Sequence, residues 1–354
     1  MTLVEGIENM HVDFESSDSP FPKLTSPGVE SLPQLRPKCF EEYPGQDRVV
    51  QNLKVYTESA KKRGKMLDHC LFHGPPGLGK TTLAGIMAEV MGCELVTTSG
   101  PNIEKPRDLM GLLASLEKST ILFIDEIHRL PIHVEEVLYT AMEDGKLDLL
   151  IGDGPTARSV RFELRPFTLI GATTRPGSLS APLRNRFGIT EHLEYYKAKD
   201  LVKIIQRSCL VMGIKMEEKA CLSLAERVRG TPRIANVLLK RVMDFAVVAD
   251  ESIITEKTVN VALSRLGIDP KGLSRADRRF LKIMKDRYEG GPVGLESIAS
   301  ALNEERSTLE DVYEPYLVYQ GFLSRTPRGR ILTDLARSHL ENEWIAALDG
   351  ADEV

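Results

Sequence analysis

A glycine-rich loop followed by a lysine and two threonines is the stretch of this sequence best suited to bind phosphate. Residues 73–82 read HGPPGLGKTT and match the spacing G-x-x-x-x-G-K-[ST]. In such loops backbone N–H groups turn towards phosphate oxygens, the lysine places a cation at the β- and γ-phosphates, and the first hydroxyl reaches Mg²⁺. Apolar residues at helical spacing follow, so the loop is expected to open a helix whose N-terminus favours anions. The phosphate-binding residues predicted here are Gly74, Gly77, Leu78, Gly79, Lys80, Thr81 and Thr82.

Two adjacent carboxylates follow a short apolar run farther along the chain. Residues 121–124 read Ile-Leu-Phe-Ile, which is typical of a strand buried on both faces, and Asp125 and Glu126 come directly after it. Sites in open α/β sheets gather at the carboxyl ends of the strands. Asp125 is therefore predicted to hold Mg²⁺, together with Thr81, and Glu126 to orient and deprotonate an attacking water. An acidic surface loop is the alternative, which the nearby phosphate loop disfavours.

Three further segments carry candidate groups whose roles the local pattern leaves open. Thr174 would reach the γ-phosphate or the water if its strand lies beside the one that ends at Asp125; otherwise it belongs to an ordinary strand-end turn. Arg184 and Arg186 flank a polar residue, and they suit their own site, a neighbouring subunit or a surface ion pair. Arg233 stands in the first turn of a predicted helix, where a cation opposes the helix dipole. A bound anion beside Arg233 would explain this placement, and a structural arginine is the alternative.

Length and composition place these groups on a multi-domain protein. A chain of 354 residues with 42% apolar residues suggests two or three packed domains. No apolar run approaches the roughly 18 residues of a membrane span, and the N-terminus does not resemble a secretion signal, which favours a cytoplasmic location. Five scattered cysteines indicate buried thiols in a reducing compartment. A net charge of -5 confines any nucleic-acid contact to a local patch.

The first large segment alternates short apolar strands with helices, which predicts a doubly wound α/β domain with a parallel sheet over residues 31–197. Within it, residues 146–164 contain two apolar runs around Gly-Asp-Gly-Pro and are predicted to form an inserted β-hairpin. The hairpin is not needed for the core of the sheet, so it either projects towards a partner or is a simple surface excursion. The strands are predicted at 70–73, 94–98, 120–125 and 167–174.

Helical patterns replace the strands over residues 198–270, which predicts a small all-α domain. At its centre Gly230 suits the end of one helix, and Thr231 is expected to cap the next. One apolar stripe of this domain is predicted to comprise Ile234, Val237, Leu238, Val242 and Phe245. Residues 1–30 and 347–354 have few large apolar groups and are expected to form tails, the first of them mobile.

Three helices followed by a hairpin over residues 271–346 are typical of a winged helix-turn-helix domain. The hairpin places Arg325, Arg328 and Arg330 around a tight turn, with no acidic residue before Asp334. Such a turn is predicted to bind DNA phosphates rather than to recognise bases. The alternative is that the arginines only form a solvent-exposed charged surface, as most runs of charged residues do. No aromatic platform separates the arginines, so stacking of single-stranded bases is disfavoured.

The sequence resembles the RuvB family of bacterial Holliday-junction branch-migration motors over about residues 35–340. The resemblance implies an AAA+ ATPase that binds ATP and Mg²⁺ and has a large α/β domain, a helical lid and a C-terminal winged-helix domain. It also implies homohexameric rings on double-stranded DNA beside the junction-binding protein RuvA, with RuvC as a further partner in a resolvasome. The motifs that carry it are the phosphate loop, DEIHRL at 125–130, GATTR at 171–175, LRNRFGI at 183–189, GTPR at 230–233 and RTPRGR at 325–330.

The resemblance also implies roles for residues around the nucleotide. Thr174 would be the sensor of the first kind and Arg233 that of the second. Arg186 would be an arginine finger that reaches the ATP of the next subunit, with Arg184 as the alternative. The further nucleotide-binding residues implied in this way are Leu35, Arg36, Glu143, Asp144, Gly145 and Tyr196.

Partner contacts follow from the same resemblance. The hairpin at 146–164 would engage RuvA, and Arg306, Arg325 and Arg330 would contact DNA. An AAA+ initiator or loader, which uses ATP as a switch for DNA binding rather than as fuel for stepping, is the second interpretation. The inserted hairpin and the match at the wing arginines favour the motor.

Overall fold

A computed structural model describes residues 35–117, 119–151 and 158–341 of the chain. The tails expected over 1–30 and 347–354, and the turn of the expected hairpin, lie outside the described residues. Nine strands occur in the described part: β1 (Cys70–His73), β2 (Glu94–Ser99), β3 (Thr120–Asp125), β4 (Lys146–Ile151), β5 (Arg158–Glu163), β6 (Phe167–Thr173), β7 (Ile189–His192), β8 (Leu323–Thr326) and β9 (Gly329–Leu332).

A five-stranded sheet in the order β2–β3–β6–β1–β7 organises the first part of the chain, and all of its neighbouring strands are parallel. Every residue of β6 is buried, and so is all of β3 except its last residue, as expected for a parallel sheet covered on both faces. The predicted α/β class is thus confirmed. The predicted bounds of β1 and β3 are also confirmed, whereas β2 runs one residue farther and β6 stops at Thr173, one residue before the predicted end.

Helices connect these strands and then take over the chain. Helix α2 directly follows the glycine-rich loop and buries Leu83, Ile86 and Met87 against the sheet, which confirms the predicted amphipathic face. The helices are α1 (Asp47–Arg63), α2 (Lys80–Met91), α3 (Pro106–Ser115), α4 (Ile132–Asp144), α5 (Ala181–Arg184), α6 (Ala198–Met212), α7 (Glu218–Ala225), α8 (Pro232–Val248), α9 (Glu256–Arg265), α10 (Arg275–Tyr288), α11 (Leu295–Leu302), α12 (Arg306–Thr308), α13 (Glu314–Tyr319) and α14 (Asp334–Leu340).

The predicted hairpin is present as β4 and β5, which pair in antiparallel register from Lys146 opposite Glu163 to Ile151 opposite Arg158. These two strands form a separate two-stranded sheet and do not join the parallel one. The hairpin therefore extends from the α/β layer at the end of α4, where Gly145 adopts a φ of 64°.

Helices α6 to α9 form the predicted all-α unit, and their core is continuous with that on one face of the sheet. Two local expectations for this unit need correction. Val237 is 43% exposed, so the buried stripe of α8 instead runs through Ala235, Leu238, Leu239, Val242 and Ala246. Thr231 does occupy the N-cap position, but its hydroxyl donates to the carbonyl of Val228 and does not cap the helix.

The last part of the chain has a core of its own, built from α10, α11, α13, α14 and the β8–β9 hairpin, and it forms the predicted winged-helix unit. Its third helix is an uninterrupted helical segment over residues 306–319, in which a π-helical stretch (Leu309–Tyr313) joins α12 to α13. We call this segment the bridging helix. Single π turns inside helices are often found at functional positions.

None of the helices among the described residues is both long enough and apolar enough to cross a lipid bilayer.

Candidate functional site

The glycine-rich loop joins β1 to α2 in a conformation that only glycine adopts easily. Gly74, Gly77 and Gly79 have φ values of 134°, 79° and 97°. A Cβ atom on Gly74 would lie 2.3 Å from the carbonyl oxygen of Leu193, so even a methyl group is excluded there. The ammonium group of Lys80 donates to the loop carbonyl of Gly74 at 2.8 Å, and burial lowers its pKa. The loop is therefore held in a fixed shape with its lysine turned inward.

Two buried tyrosines support this loop from behind. The hydroxyl of Tyr196 donates to that of Tyr43 at 2.8 Å, and Tyr43 donates to the carbonyl of Leu78 at 3.1 Å. Burial is the main cause that raises the pKa of both hydroxyls, so both stay protonated and available as donors near neutral pH. A side chain on Gly79 would collide with the Tyr43 hydroxyl. Tyr196, a predicted pocket residue, thus fixes the loop as well as lining the cavity.

The predicted carboxylates emerge at the same edge as the loop because β3, which ends at Asp125, and β1, which leads into the loop, both pair with β6 in the parallel sheet. Asp125 ends β3, and its Oδ1 accepts the backbone N–H of Glu126 at 3.0 Å. Glu126 has a left-handed φ of 48°. Thr174 follows β6, and its hydroxyl lies 3.5 Å from Oε2 of Glu126. The strand adjacency on which the interpretation of Thr174 depended is therefore present, and the three side chains share one edge of the sheet.

His128 belongs to the same cluster, although no role was predicted for it from the sequence. Its Nδ1 lies 2.9 Å from the hydroxyl of Thr173 and 3.4 Å from Oε2 of Glu126. Desolvation by burial is the largest influence on His128 and lowers its pKa below the usual range, so the ring is uncharged at neutral pH. Its contact with Glu126 is then polar rather than an ion pair. The DEIHRL motif was the only sequence signal that could have indicated this histidine.

A cavity of about 420 Å³ opens between the loop, the carboxylates and the helical unit. Leu35 and Arg36 lie on its rim and are held there by Arg207 of α6, which donates to their carbonyl oxygens at 2.6 and 3.3 Å and pairs with Glu42 at 2.7 Å. Arg207 was missed from the sequence because no local pattern marks it. The lining residues are Leu35, Arg36, Pro37, Glu42, Tyr43, Pro44, Pro76, Gly77, Gly79, Lys80, Thr81, Thr82, Asp125, Glu126, Tyr196, Ile204, Arg207, Pro232, Arg233 and Asn236.

Arg233 brings the helical unit directly onto the loop. It stands in the first turn of α8, and its backbone N–H donates to the carbonyl of Gly77 at 3.3 Å. Its side chain is exposed on the cavity wall. The alternative of a purely internal structural arginine is therefore disfavoured, because the exposed Arg233 lines the same cavity as Lys80.

The residues in this cavity fit a nucleotide with a divalent cation. The loop amides and Lys80 suit phosphate, and the Thr81 hydroxyl and the Asp125 carboxylate are oxygen ligands of the kind that Mg²⁺ prefers. Mg²⁺ usually takes few protein ligands and completes its shell with phosphate oxygens and water. The described residues contain no cluster of three or more His, Cys, Asp or Glu ligands.

Arg186 lies away from the cavity of its own chain. Its guanidinium is 2.5 Å from a carboxylate oxygen of Glu143, donates to the hydroxyl of Tyr139 at 2.8 Å, and stacks over that ring. Glu143 and its neighbours Asp144 and Gly145 at the end of α4 do not line the cavity either. These four predicted nucleotide contacts thus form a second, separate patch, and as nucleotide contacts they remain predictions that require an adjoining subunit.

The three predicted DNA-contacting arginines all form ion pairs within the winged-helix unit. Nε atoms of Arg325 and Arg330 each lie 2.8 Å from Oε1 of Glu314, a fully buried carboxylate of the bridging helix. Arg306 pairs with Glu296 at 2.7 Å. The side chain of Arg325 is 53% exposed and that of Arg330 is 23% exposed, so both still reach the surface of the wing. Arg328 is exposed at the turn and has no ion pair with another described residue.

Comparisons with known proteins agree with this architecture. Residues 35–193 match the family described as Holliday junction DNA helicase RuvB P-loop domain, residues 196–269 the RuvB AAA lid domain, and residues 270–341 the RuvB C-terminal winged helix domain. A Latilactobacillus sakei protein described as Holliday junction branch migration complex subunit RuvB is 55% identical over 306 residues, which are 86% of this chain and 91% of that protein.

Solved structures are similar over the same extent. Thermotoga maritima RuvB, described as a Holliday junction branch migration motor, has a TM-score of 0.80 at 47% identity, covering 87% of this chain and 98% of that one. A mutant of the same protein reaches a TM-score of 0.81 at 47% identity, with 87% of this chain and 99% of that one covered. The resemblance inferred from the motifs is confirmed, and the chain belongs to the RuvB family of AAA+ P-loop proteins.

Proposed function

We propose that this protein is an ATP-driven motor that translocates double-stranded DNA and drives branch migration of Holliday junctions in recombination and repair. The observation that carries the proposal is a single one: the chain joins a nucleotide-type cavity, with paired carboxylates at its wall, to a winged-helix unit with arginines at its hairpin. Membership of the RuvB family supports the junction as the DNA substrate. ATP is the fuel, and hydrolysis yields ADP and phosphate.

The cavity residues supply the chemistry of hydrolysis. Lys80 and the loop amides hold the phosphates, and Glu126 orients a water and accepts its proton during in-line attack. Thr81 and Asp125 would hold Mg²⁺, which would supply positive charge to offset that of the phosphates. The Thr174 hydroxyl lies 3.5 Å from Oε2 of Glu126, which supports a role for Thr174 as a sensor of the γ-phosphate. His128 and Thr174 limit the orientations that Glu126 can adopt.

Arg186 completes the active site of a neighbouring subunit. Its distance from its own cavity supports action in trans, because a finger that served its own nucleotide would lie at the cavity wall. The ion pair with Glu143 and the stacking on Tyr139 keep the guanidinium extended on the surface patch at the end of α4. Such a contact at each subunit interface would suit the homohexameric rings that we propose from membership of the RuvB family.

The lid transmits the nucleotide state. Arg233, in the first turn of α8, donates its backbone N–H to Gly77 of the loop, and Arg207 connects α6 to the chain at Leu35 and Arg36. A change in the phosphates at the loop therefore moves two lid helices together, and with them the winged-helix unit. Binding of RuvA by the β4–β5 hairpin would place opposed rings on either side of the junction, and RuvC would join them in a resolvasome.

Wing contacts to DNA are predicted to appear in the salt dependence of binding. Arg325→Ala and Arg330→Ala should each lower the slope of log K against log salt for a random-sequence duplex by about one, because each phosphate contact releases about 0.9 counterion. The slopes are measured by fluorescence anisotropy between low and physiological salt. Arg241→Ala, which removes a lid arginine paired with Asp244, is the control and should leave the slope unchanged. Equal slopes for all of these proteins would place the DNA site elsewhere.

A four-way-junction assay tests the whole proposal. The full chain, with ATP, Mg²⁺ and added RuvA, should convert a synthetic four-way junction into two duplex products, and it should not do so with ADP. Junction binding that responds to ATP without any product formation would instead support the initiator or loader interpretation. If neither product formation nor ATP-dependent junction binding is observed, the proposed action on DNA is wrong.

A further inference from the structure

An ion pair joins the winged-helix unit to the α/β unit beside the catalytic carboxylate. Arg175, two residues after the end of β6, places Nη2 at 2.5 Å and Nε at 3.1 Å from Oδ1 of Asp311, which lies in the π-helical stretch of the bridging helix. Asp311 raises the pKa of Arg175 through this hydrogen bond. The side chains are 41% and 49% exposed, so the pair contributes little to stability. The role that we consider for this ion pair is therefore to orient Arg175 rather than to stabilise the fold.

The backbone of Arg175 is connected to Glu126 by a short series of polar contacts. Its N–H donates to the hydroxyl of Thr173 at 2.9 Å, and that buried hydroxyl lies 2.9 Å from Nδ1 of His128. Nδ1 is in turn 3.4 Å from Oε2 of Glu126. Three consecutive contacts therefore connect the backbone of Arg175 to the Glu126 carboxylate, so a shift of Arg175 caused by Asp311 can change the position of that carboxylate.

Aromatic side chains of the same bridging helix contact Tyr195, the residue before a lining residue of the nucleotide cavity. The ring of Tyr195 lies 4.4 Å from that of Tyr319 and 6.2 Å from that of Tyr316, measured between centroids. Tyr195 precedes Tyr196 of the cavity lining and also packs on Gly230, at the start of the turn that leads to Arg233. The bridging helix thus contacts Arg175 beside the catalytic carboxylate, and also Tyr195, which packs on Gly230 before α8.

The bridging helix also holds the wing, through a residue about one turn after Asp311. Its Glu314 is fully buried and accepts hydrogen bonds from both Arg325 and Arg330 at 2.8 Å. Phosphates of a bound duplex are anions that compete with Glu314 for the same two guanidinium groups. DNA at the wing consequently changes the forces on the bridging helix itself.

From these contacts we infer that the bridging helix couples DNA at the wing to the orientation of Glu126, with Asp311 acting as a positioning residue through Arg175. The inference rests on the proposed function, since it requires that DNA stimulates ATP hydrolysis. It adds a defined route for that stimulation within one subunit. A rigid helix with ion pairs at two positions is a contiguous physical connection of the kind that allosteric coupling needs.

Asp311→Asn is the direct test, with phosphate release measured at saturating duplex. Its DNA-stimulated kcat should fall about five-fold, within the range by which residues along a coupling route usually act. The KM for ATP and the Kd for duplex should stay within a factor of about two, because Asp311 touches neither ligand in this scheme. Glu310→Gln removes the same charge from the neighbouring position, which acts on Arg175 only through space and forms no ion pair with it, so kcat should fall by less than about two-fold.

Two combined variants distinguish orientation from simple damage. The double variant Arg175→Asp with Asp311→Arg exchanges the two partners of the ion pair. It should recover at least half of the DNA-stimulated kcat that Asp311→Asn loses. Arg325→Ala added to Asp311→Asn should lower the DNA-stimulated kcat at saturating duplex by less than the product of the separate effects, because both act on one route. Equal effects of the Asp311 and Glu310 variants, or fully multiplicative effects of the Arg325 and Asp311 variants, would overturn the inference. If duplex DNA does not change the rate of ATP hydrolysis by the wild-type protein, that result would instead contradict the proposed function.

Discussion

Replacing Arg186 with alanine is expected to lower the kcat of ATP hydrolysis by the assembled protein about 10³- to 10⁵-fold, the usual contribution of an arginine finger. The reason is electrostatic, since the guanidinium meets charge that develops on the transferred phosphoryl group only in the transition state. ATP binding to the same protein should change far less. Steady-state phosphate release and the Kd of a fluorescent ATP analogue give the two quantities separately.

The location of Arg186 outside its own cavity makes a sharper form of this test possible. In a one-to-one mixture of Arg186→Ala and Glu126→Gln subunits, about a quarter of the interfaces join an intact Glu126 to an intact Arg186 if the finger acts in trans. Activity should therefore reappear on mixing two proteins that are each nearly inactive. Arg184→Ala, in the neighbouring arginine, is the matched control and should retain most of the ATPase. Failure of the mixture to recover any activity would argue that the finger serves its own chain.

Glu126→Gln is expected to lower kcat about 10²- to 10⁴-fold while ATP binding persists. An amide of the same shape keeps the contacts to Thr174 and His128 but cannot accept a proton from water. Single-turnover hydrolysis with pre-bound ATP isolates the chemical step, so a defect there assigns the loss to proton transfer. Glu58→Gln, which alters an exposed carboxylate paired with Lys62 on α1, is the control for loss of one negative charge.

An unchanged single-turnover rate for Glu126→Gln would show that another group activates the water. A loss of ATP affinity in Glu126→Gln would instead show that Glu126 takes part in metal or phosphate binding rather than in catalysis. The two measurements together thus separate the proposed role from its nearest alternative.

Local sequence periodicity and turn chemistry determined the order of elements and the core of the nucleotide site. β1 and β3 were predicted at their observed bounds because strands buried on both faces are continuous apolar runs. The glycine positions of the loop were predictable because the required φ values lie where other residues are strained. Lys80, Asp125 and Glu126 then came together because parallel strands end at one edge of the sheet.

The fold, by contrast, decided how side chains distant in sequence are paired. Nothing near Arg325 and Arg330 in the hairpin indicated that both would pair with the buried Glu314. No local pattern indicated that Arg207 would hydrogen-bond to the carbonyl of Leu35. The expected cap by Thr231 was wrong because its hydroxyl found the Val228 carbonyl of the preceding turn.

The sequence by itself therefore determined which chemical groups the protein carries and on which element each one lies, since these follow from spacing along the chain. The tertiary structure alone decided that Arg186 faces away from its own cavity and that Asp311 reaches Arg175 across two structural units. Hydrogen bonds and ion pairs act over a few ångströms through space, and periodicity along the chain carries no information about which distant residues will meet at that range.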